Sequence, residues 1–262
     1  MPFFRLSPEE GERLKEHFRK KGLKEVEHQH ALWAFDDEGT RVFFYATGTL
    51  GITGKKERAL AKEVTRLLKG RRVAGCDEAG KGDLFGPLVV CCACITEEAY
   101  ARAAALNPRD TKRLSDARVF RLYEALKPLV KVFCKVVSPE EYNRRVKTLS
   151  VNKLLDEVYR ELVERVLNEC RPEELVVDAY ARKSPFNDER VRFEPKAERH
   201  LAVSVASVFA RALFLKELEK LSKELGIKLP KGASEEAQRL ARTIKEKERY
   251  VKTNFSLKAF PD

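Results

Sequence analysis

Three acidic residues stand where strand-like segments end, and their side chains could hold a divalent cation. Asp77 and Glu78 directly follow the apolar segment 73–76, and Asp178 ends a second apolar segment, 175–177. Strand ends that face a common edge bring such carboxylates together, and their mutual repulsion is costly unless a cation neutralises it. The pattern predicts a Mg²⁺ or Mn²⁺ site. For any one acid taken alone, a solvated turn position explains the residue equally well.

The elements that must position these acids mix strands with helices. Two apolar strands, 73–76 and 88–95, flank a glycine-rich turn that carries charges. Hydrophobic periodicity and turn residues predict the other elements of this segment. They are helices over 116–126, 150–170 and about 198–225, and strands over 131–137, 174–178 and 191–194. Such a succession predicts an α/β or α+β layered domain over residues 69–262.

The first 68 residues form a separate pattern. Ser7, Pro8 and Glu10 predict a helix start, with Ser7 as the N-cap and Glu10 completing a capping box. Strands are predicted over 31–35, 41–45 and 49–53, and a second helix over 55–68. The order predicts a small α+β domain over residues 1–68.

Composition narrows the class of protein and of partner. The 262 residues are 43% hydrophobic, which provides a core and excludes wholesale disorder. No apolar run reaches the length of about 20 residues that crosses a bilayer, and Glu9 and Glu10 interrupt the N-terminus where a signal peptide needs apolar residues. We expect a cytoplasmic chain without a membrane partner. The 52 Lys and Arg against 41 Asp and Glu give a charge of +11, which favours a polyanionic partner. Solubility alone explains that charge equally well.

The six cysteines lie among apolar residues. Cys91, Cys92 and Cys94 fall inside one apolar strand, and Cys76, Cys134 and Cys170 stand singly beside other apolar side chains. We expect buried free thiols in a reducing compartment.

A long string around the first two acids resembles the signature of the type 2 ribonucleases H. The string is G-x-DEAGKGDLFGPLVV, Gly75 to Val90. Three further stretches match that family in order: DTKRLSD at 110–116, VVDAY at 176–180 and KAERHLAVSVASVFAR at 196–211. The resemblance implies a ribonuclease H-like layered mixed sheet with flanking helices.

Several features are similar to ribonuclease HIII in particular. These are the G-K-G turn, the stretch LPKGAS at 229–234, and an N-terminal module resembling the TATA-binding protein. The resemblance of FFYATGTLGITG, at 43–54, to the sheet of that module is loose. Ribonuclease HII is the nearest alternative, and G-K-G, Glu198, LPKGAS and the N-terminal module argue against it.

The resemblance also implies roles for individual residues. Asp77, Glu78, Asp178 and Glu198 match the four catalytic acids of the family. The first three would hold two Mg²⁺ or Mn²⁺ ions, and Glu198 would hold one metal weakly or position water. An ordinary acid at a helix N-terminus is the alternative for Glu198.

The implied substrate is an RNA–DNA hybrid. Its RNA strand would be hydrolysed to 5′-phosphate and 3′-hydroxyl ends by a monomeric endonuclease. The backbone of Gly80, Lys81 and Gly82 would read the ribose 2′-hydroxyl, although a tight turn alone also explains this glycine pair. Thr111 and Lys112 match positions that contact the nucleic-acid backbone, and Lys196 is a further phosphate contact.

Two functional hypotheses from other classes of protein are also compatible with the sequence. One is a hybrid-binding protein that has lost catalysis, which the presence of all four acids disfavours. The other is a phosphatase or nucleotide-binding enzyme, which the absence of a G-x-x-x-x-G-K-[ST] loop disfavours.

Overall fold

Two five-stranded sheets and the helices packed on them make up the part of the chain that the structure describes. The structure is a computed structural model, and it describes residues 2–68, 72–108, 111 and 114–254. One sheet is built from the first 53 residues, and the other contains the strands that end in Asp77, Glu78 and Asp178.

The first sheet is antiparallel throughout, in the order β1-β5-β4-β3-β2. Its elements are β1 Phe3–Arg5, α1 Pro8–Lys20, β2 Lys24–Glu25, β3 Ala31–Asp37, β4 Thr40–Tyr45, β5 Thr49–Thr53 and α2 Glu57–Leu67. The predicted capping box is confirmed, since the Ser7 hydroxyl accepts from Glu10 N at 3.2 Å and the Glu10 carboxylate accepts from Ser7 N at 2.8 Å. Both predicted helices and the three predicted strands are present, whereas the short strands β1 and β2 were not predicted.

The second sheet is mixed, in the order β10-β9-β6-β7-β8. Its strands are β6 Val73–Ala79, β7 Leu88–Ile95, β8 Val130–Val137, β9 Glu174–Asp178 and β10 Val191–Glu194. The accompanying helices are α3 Glu97–Ala105, α4 Asp116–Leu126, α5 Pro139–Val146, α6 Val151–Glu169, α7 Leu201–Leu225, α8 Glu235–Thr243 and α9 Lys247–Tyr250. β6, β9 and β10 run parallel, and β7 and β8 are antiparallel to their neighbours. The predicted α/β (α+β) fold class is therefore confirmed.

One helix covers each face of this sheet. The buried side chains of α7 share a core with one face of β7, and those of α6 share a second core with the opposite face. Gly75 permits the closest approach, because a Cβ there would lie 2.3 Å from Val203 N on α7. The last helix of the prediction begins later than expected: residues 197–199 form a 3₁₀ turn, and α7 starts at Leu201. Glu198 therefore lies in the 3₁₀ turn directly before α7 and not in α7 itself.

The expectation of free thiols is also wrong. The cysteines form three disulfides, Cys76–Cys92, Cys91–Cys134 and Cys94–Cys170. Strand register explains two of them, since it places Cys76 opposite Cys92 and Cys91 opposite Cys134 on adjacent strands, and the third joins β7 to the end of α6. Sequence spacing does not reveal that register. The argument for a reducing compartment loses its support.

Among the described residues, no helix combines the length and apolar character that membrane crossing requires.

Candidate active site

The acids of β6 and β9 lie at one edge of the second sheet. The two strands are parallel and adjacent, with Cys76 opposite Val177, so Asp77 and Asp178 occupy neighbouring strand ends. The structure thus brings together the acids that the sequence placed at strand ends. Charge repulsion from both Glu78 and Asp178 reaches Asp77.

Asp77 and Glu78 are consecutive in a strand, so their side chains leave opposite faces of the sheet. Asp77 lies on the α7 side, where the Ser207 side chain hydrogen-bonds to it. Glu78 lies on the α6 side, where the Tyr159 hydroxyl donates to its Oε2. Each acid therefore has a polar partner on the helix that covers its face.

The titration of Asp77 is strongly perturbed by its surroundings. Burial raises the pKa of Asp77 well above its usual range, and the nearby Glu78 and Asp178 carboxylates raise it further. Two hydrogen bonds act in the opposite direction, one from Ser207 and one from Glu78 N to Asp77 Oδ1 at 2.8 Å. A desolvated group of carboxylates that repel one another is stabilised by a bound cation, and oxygen donors suit Mg²⁺ or Mn²⁺.

No three acidic, histidine or cysteine side chains within the described ranges converge as a finished metal cage. Several oxygens of the acids instead accept protein hydrogen bonds, as Asp178 Oδ1 does from Ala197 N at 2.8 Å. The donor set fits a hard cation by its chemistry, because a carboxylate that accepts one hydrogen bond keeps further lone pairs for a cation.

Glu198 lies in the 3₁₀ turn that Asp178 holds through Ala197. The main-chain oxygen of Glu198 accepts hydrogen bonds from the Ser204 hydroxyl on α7 and from the guanidinium of Arg5 on β1. Ala197 is fully buried. The turn is thus fixed to β9, to α7 and to the first sheet.

The G-K-G turn follows the two acids of β6. Gly80 has φ +90°, and a Cβ there would lie 2.1 Å from the main-chain oxygen of Pro87, so the fold itself requires this glycine. A Cβ on the exposed Gly82 would meet no atom within 4 Å. The fold therefore does not explain Gly82. Lys81 is tied down, since its Nζ donates to the main-chain oxygen of Tyr180 at 2.9 Å.

The three further substrate positions differ in their surroundings. Thr111 is buried, and its Oγ1 lies 2.9 Å from Ser207 Oγ, which links Thr111 through Ser207 to Asp77. Lys112 lies outside the described residues. Lys196 is exposed and has φ 56°, immediately before the 3₁₀ turn.

Comparison with known proteins decides the family. A family model described as Ribonuclease HII matches residues 74–259. The ribonuclease HIII of Aquifex aeolicus is 48% identical over 258 residues, covering 98% of this chain and 100% of the relative. The chain belongs to the type 2 ribonuclease H family, in its ribonuclease HIII group.

Solved structures agree with this assignment. The crystal structure of Aquifex aeolicus RNase H3 has a TM-score of 0.67 at 49% identity, covering 97% of this chain and 100% of that one. A structure of Bst-RNase HIII in complex with Mn²⁺ has a TM-score of 0.68 at 25% identity, covering 98% and 96%. As a type 2 ribonuclease H, the chain is a metal-dependent nuclease that degrades the RNA of RNA–DNA hybrids.

Sequence reasoning missed several residues of this ribonuclease H site. They are Arg5, Tyr159, Ser204 and Ser207, which contact the acids or the turn that carries Glu198. Ser204 and Ser207 interrupt an otherwise apolar helix face, which was a usable signal. The sequence around Arg5 or Tyr159 held no such signal, because both partners lie far away along the chain.

Tyr159, the hydrogen-bond donor to Glu78, is itself held in place by packing against its neighbours. It is fully buried on α6, and its ring stacks on Tyr180 with centroids 4.8 Å apart. The Tyr180 hydroxyl donates to Asp156 Oδ1 at 2.7 Å. Burial and the nearby acids raise the pKa of Tyr159 well above its usual range, so its hydroxyl stays protonated and remains a donor.

We predict that Tyr159→Phe lowers kcat on hybrid about tenfold, because a hydrogen bond to a charged group contributes roughly 1.5–3 kcal/mol. KM should stay within about twofold, since Tyr159 is buried away from substrate. Single-turnover and steady-state kinetics measure the two constants. Tyr123→Phe, whose ring packs on Phe209, is the control. An unchanged kcat in Tyr159→Phe would show that Glu78 does not need this donor.

Proposed function

We propose that the chain is an endoribonuclease that cuts the RNA strand of RNA–DNA hybrids by two-metal-ion catalysis, leaving 5′-phosphate and 3′-hydroxyl ends. The observation that carries this proposal is the grouping of Asp77, Glu78 and Asp178, in which the pKa of Asp77 is raised by its own burial and by its two neighbours. Neighbouring carboxylates that repel one another in a buried position are typical of sites that bind a cation.

Asp77, Glu78 and Asp178 would hold Mg²⁺ or Mn²⁺. Such ions would supply Lewis-acid chemistry, by lowering the pKa of a water and stabilising negative charge on the leaving 3′ oxygen. No side-chain nucleophile is needed. The family gives no choice between the two metals, and the Mn²⁺ complex belongs to Bst-RNase HIII.

The other residues of the site orient these acids. Ser207 holds Asp77, Tyr159 holds Glu78, and the main-chain N–H of Ala197 holds Asp178. The turn of Glu198 is linked to Asp178 through the main-chain N–H of Ala197, and we propose that the Glu198 carboxylate positions water. Ordered partners keep the carboxylates from rearranging during the reaction.

The G-K-G turn would distinguish RNA from DNA at the cleavage point. Gly82 is exposed and has open space where a side chain would otherwise lie, which supports a close approach of its backbone to the ribose 2′-hydroxyl. Lys81, Lys112 and Lys196 supply positive charge for the phosphates. Thr111 is linked to Asp77 through Ser207, so a phosphate contact at Thr111 would lie near the metals.

Residues 1–68 would form the substrate-binding domain, and residues 69–262 the catalytic domain. Alternation in β4 puts Val42 and Phe44 in the core and Arg41, Phe43 and Tyr45 on the opposite face of the first sheet. Arg5 of β1 reaches the turn of Glu198 from the same sheet. A duplex lying across the acids would therefore continue onto this face.

We predict that Arg41→Gln weakens hybrid binding about threefold at low salt and reduces the salt dependence of the affinity, because one phosphate contact is lost. Fluorescence anisotropy with chelator present measures Kd over a salt series, and kcat should not change. The control is Arg13→Gln, an exposed arginine on α1. Equal affinity of both variants and the parent would remove Arg41 from the interface.

The deciding experiment uses three labelled substrates, with Mg²⁺, Mn²⁺ or chelator. They are an RNA–DNA hybrid, double-stranded RNA, and DNA carrying one ribonucleotide. We expect metal-dependent cutting of the hybrid alone, and end analysis should find 5′-phosphates. Cutting at the lone ribonucleotide would indicate ribonuclease HII behaviour, and no cutting with either metal would reject the mechanism.

Because hybrids arise where DNA is copied and transcribed, we place the protein in the cytoplasm, and we propose that it acts as a monomer.

A further inference from the structure

Lys252 is a buried cation that the proposed chemistry does not use. Its side chain is 0% exposed. Its Nζ donates to the main-chain oxygens of Asp83, Phe85 and Gly86, at 2.9, 3.4 and 2.5 Å. These three oxygens belong to the loop that directly follows the G-K-G turn. The ammonium is thus the common partner of three carbonyl groups that converge on one point.

The same loop is also held through its backbone. Leu84 O accepts from Lys252 N at 2.9 Å, and Gly86 N donates to Tyr250 O at 3.2 Å. On the other side, Leu84 N donates to Gly232 O at 2.9 Å, and Gly232 N donates to Asp83 Oδ1 at 2.7 Å. The C-terminal segment around Lys252 and the LPKGAS stretch therefore clamp residues 83–86 between them.

Asp83 connects this clamp to the G-K-G turn. Asp83 N donates to Gly80 O at 3.2 Å, which closes the turn over Lys81 and Gly82. The loop then returns so closely that Pro87 O lies against Gly80. A shift of residues 83–86 must therefore move the backbone of Gly80 and Gly82.

The burial of an ammonium needs a reason, because removing a charge from water is costly. Burial lowers the pKa of Lys252 to about 7, and the Asp83 carboxylate acts in the opposite direction. An apolar side chain would fill the same space without that cost. It would leave the three carbonyl groups without their shared donor.

We propose that Lys252 is a positioning residue for the G-K-G turn: it holds the loop 83–86 in place and so sets the backbone that reads the 2′-hydroxyl. The inference rests on the proposed role of that turn. Lys252 lies in the C-terminal segment, about 170 residues from the turn along the chain. Its role is to fix ribose recognition, and it does not touch the substrate.

The test compares the parent with Lys252→Met, which keeps the length of the side chain and removes its donors. The readout is the hybrid preference: the Kd of a DNA–DNA duplex divided by the Kd of an RNA–DNA hybrid of the same sequence, measured with chelator. We expect Lys252→Met to lose about tenfold of this preference, because small displacements of a positioning element are costly. Lys247→Met, an exposed lysine on α9, should keep it.

A second readout separates positioning from general damage. The rise in Tm on adding Mn²⁺ should be the same in Lys252→Met and the parent, because the acids are not contacted by Lys252. A folded Lys252→Met with unchanged preference would overturn the proposal, and so would an equal loss of preference and of the Mn²⁺ effect. If Lys252→Met does not fold, the same measurement is made on Lys252→Arg. Its planar guanidinium does not converge on three carbonyls in the same way, so we expect a reduced preference, and an unchanged one overturns the proposal.

Failure of the proposed function would look different. A parent protein without any hybrid preference would reject the reading of the 2′-hydroxyl by the turn itself. Only a parent that prefers hybrid, beside a folded variant that prefers it equally, rejects the role of Lys252.

Discussion

Replacement of Asp77 by Asn should abolish hybrid cleavage and at the same time make the metal-free protein more stable. Asp77 stands among the three acids and would contact both cations, so its loss should lower the cleavage rate about a thousandfold or more. Hybrid binding measured with chelator should change little, because Gly82, Arg41 and the lysines are untouched. Single-turnover cleavage with Mg²⁺ and with Mn²⁺ measures the first effect.

The gain in stability follows from the sign of the pKa shift. An acid whose pKa is raised in the folded state destabilises that state as pH rises above the ordinary carboxyl pKa, because the fold retains a proton that the unfolded chain releases. The amide introduced by Asp77→Asn does not titrate and avoids the repulsion by Glu78 and Asp178. We expect Asp77→Asn to raise the Tm of the metal-free protein at neutral pH by about 3–6 °C, corresponding to about 1–2 kcal/mol.

Calorimetry at several pH values tests this expectation. The advantage of Asp77→Asn should shrink as pH falls below about 4, because the unfolded chain then also takes up the proton that folded Asp77 retains. Added Mn²⁺ should stabilise the parent and leave the variant nearly unaffected. Asp116→Asn, at a partly exposed acid paired with Lys231, is a matched control. Full activity of Asp77→Asn would show that the site assignment is wrong, even if the variant is more stable than the parent.

Alanine at the two glycines of the G-K-G turn should have opposite consequences. At Gly80, a Cβ meets Pro87 O at 2.1 Å and φ is +90°, so Gly80→Ala must distort the loop. We expect it to cost about 2–4 kcal/mol of folding stability. Activity should be lost with the displaced turn. Denaturant unfolding measures the first effect, and kinetics below the unfolding transition measure the second.

Gly82→Ala should leave the fold intact. A Cβ there meets no atom within 4 Å, so we expect a change in unfolding free energy within about 0.5 kcal/mol. In the complex, however, the methyl group would stand between the backbone and the ribose. We expect kcat/KM on hybrid to fall about 10- to 100-fold, mostly through positioning of the RNA strand. A fully active Gly82→Ala would show that its backbone does not approach the ribose.

The sequence pattern around the cysteines does not reveal whether they are free thiols or form disulfides. The apolar segments around the six cysteines predict burial, and Cys76, Cys91, Cys92 and Cys94 are buried, whereas Cys134 and Cys170 are partly buried. Pairing depends on register between strands that are distant along the chain. Cys91 and Cys92 are consecutive in β7, so they point to opposite faces and pair with different strands, β8 and β6.

Local sequence patterns were enough to predict most of the longer helices and strands and to single out the candidate acids. Helix caps such as Ser7 and apolar periodicity such as that of α6 are local properties, because one turn of chain contains all the interacting groups. The strings around Asp77, Asp178 and Glu198 likewise lie within short stretches and carried the family resemblance. The start of α7 was misplaced because Asp178 holds Ala197 in a 3₁₀ turn, and that contact spans 19 residues.

The groups that hold the acids and the loop after the G-K-G turn in place became apparent only from the folded structure. Tyr159 is 81 residues from Glu78, and Lys252 is 169 residues from Asp83. Their contacts arise from the packing of α6 on one face of the sheet and from the return of the C-terminal segment beside the loop after β6. Local patterns carry no trace of such pairs, because the free energy that selects them belongs to the assembled core and its buried hydrogen bonds.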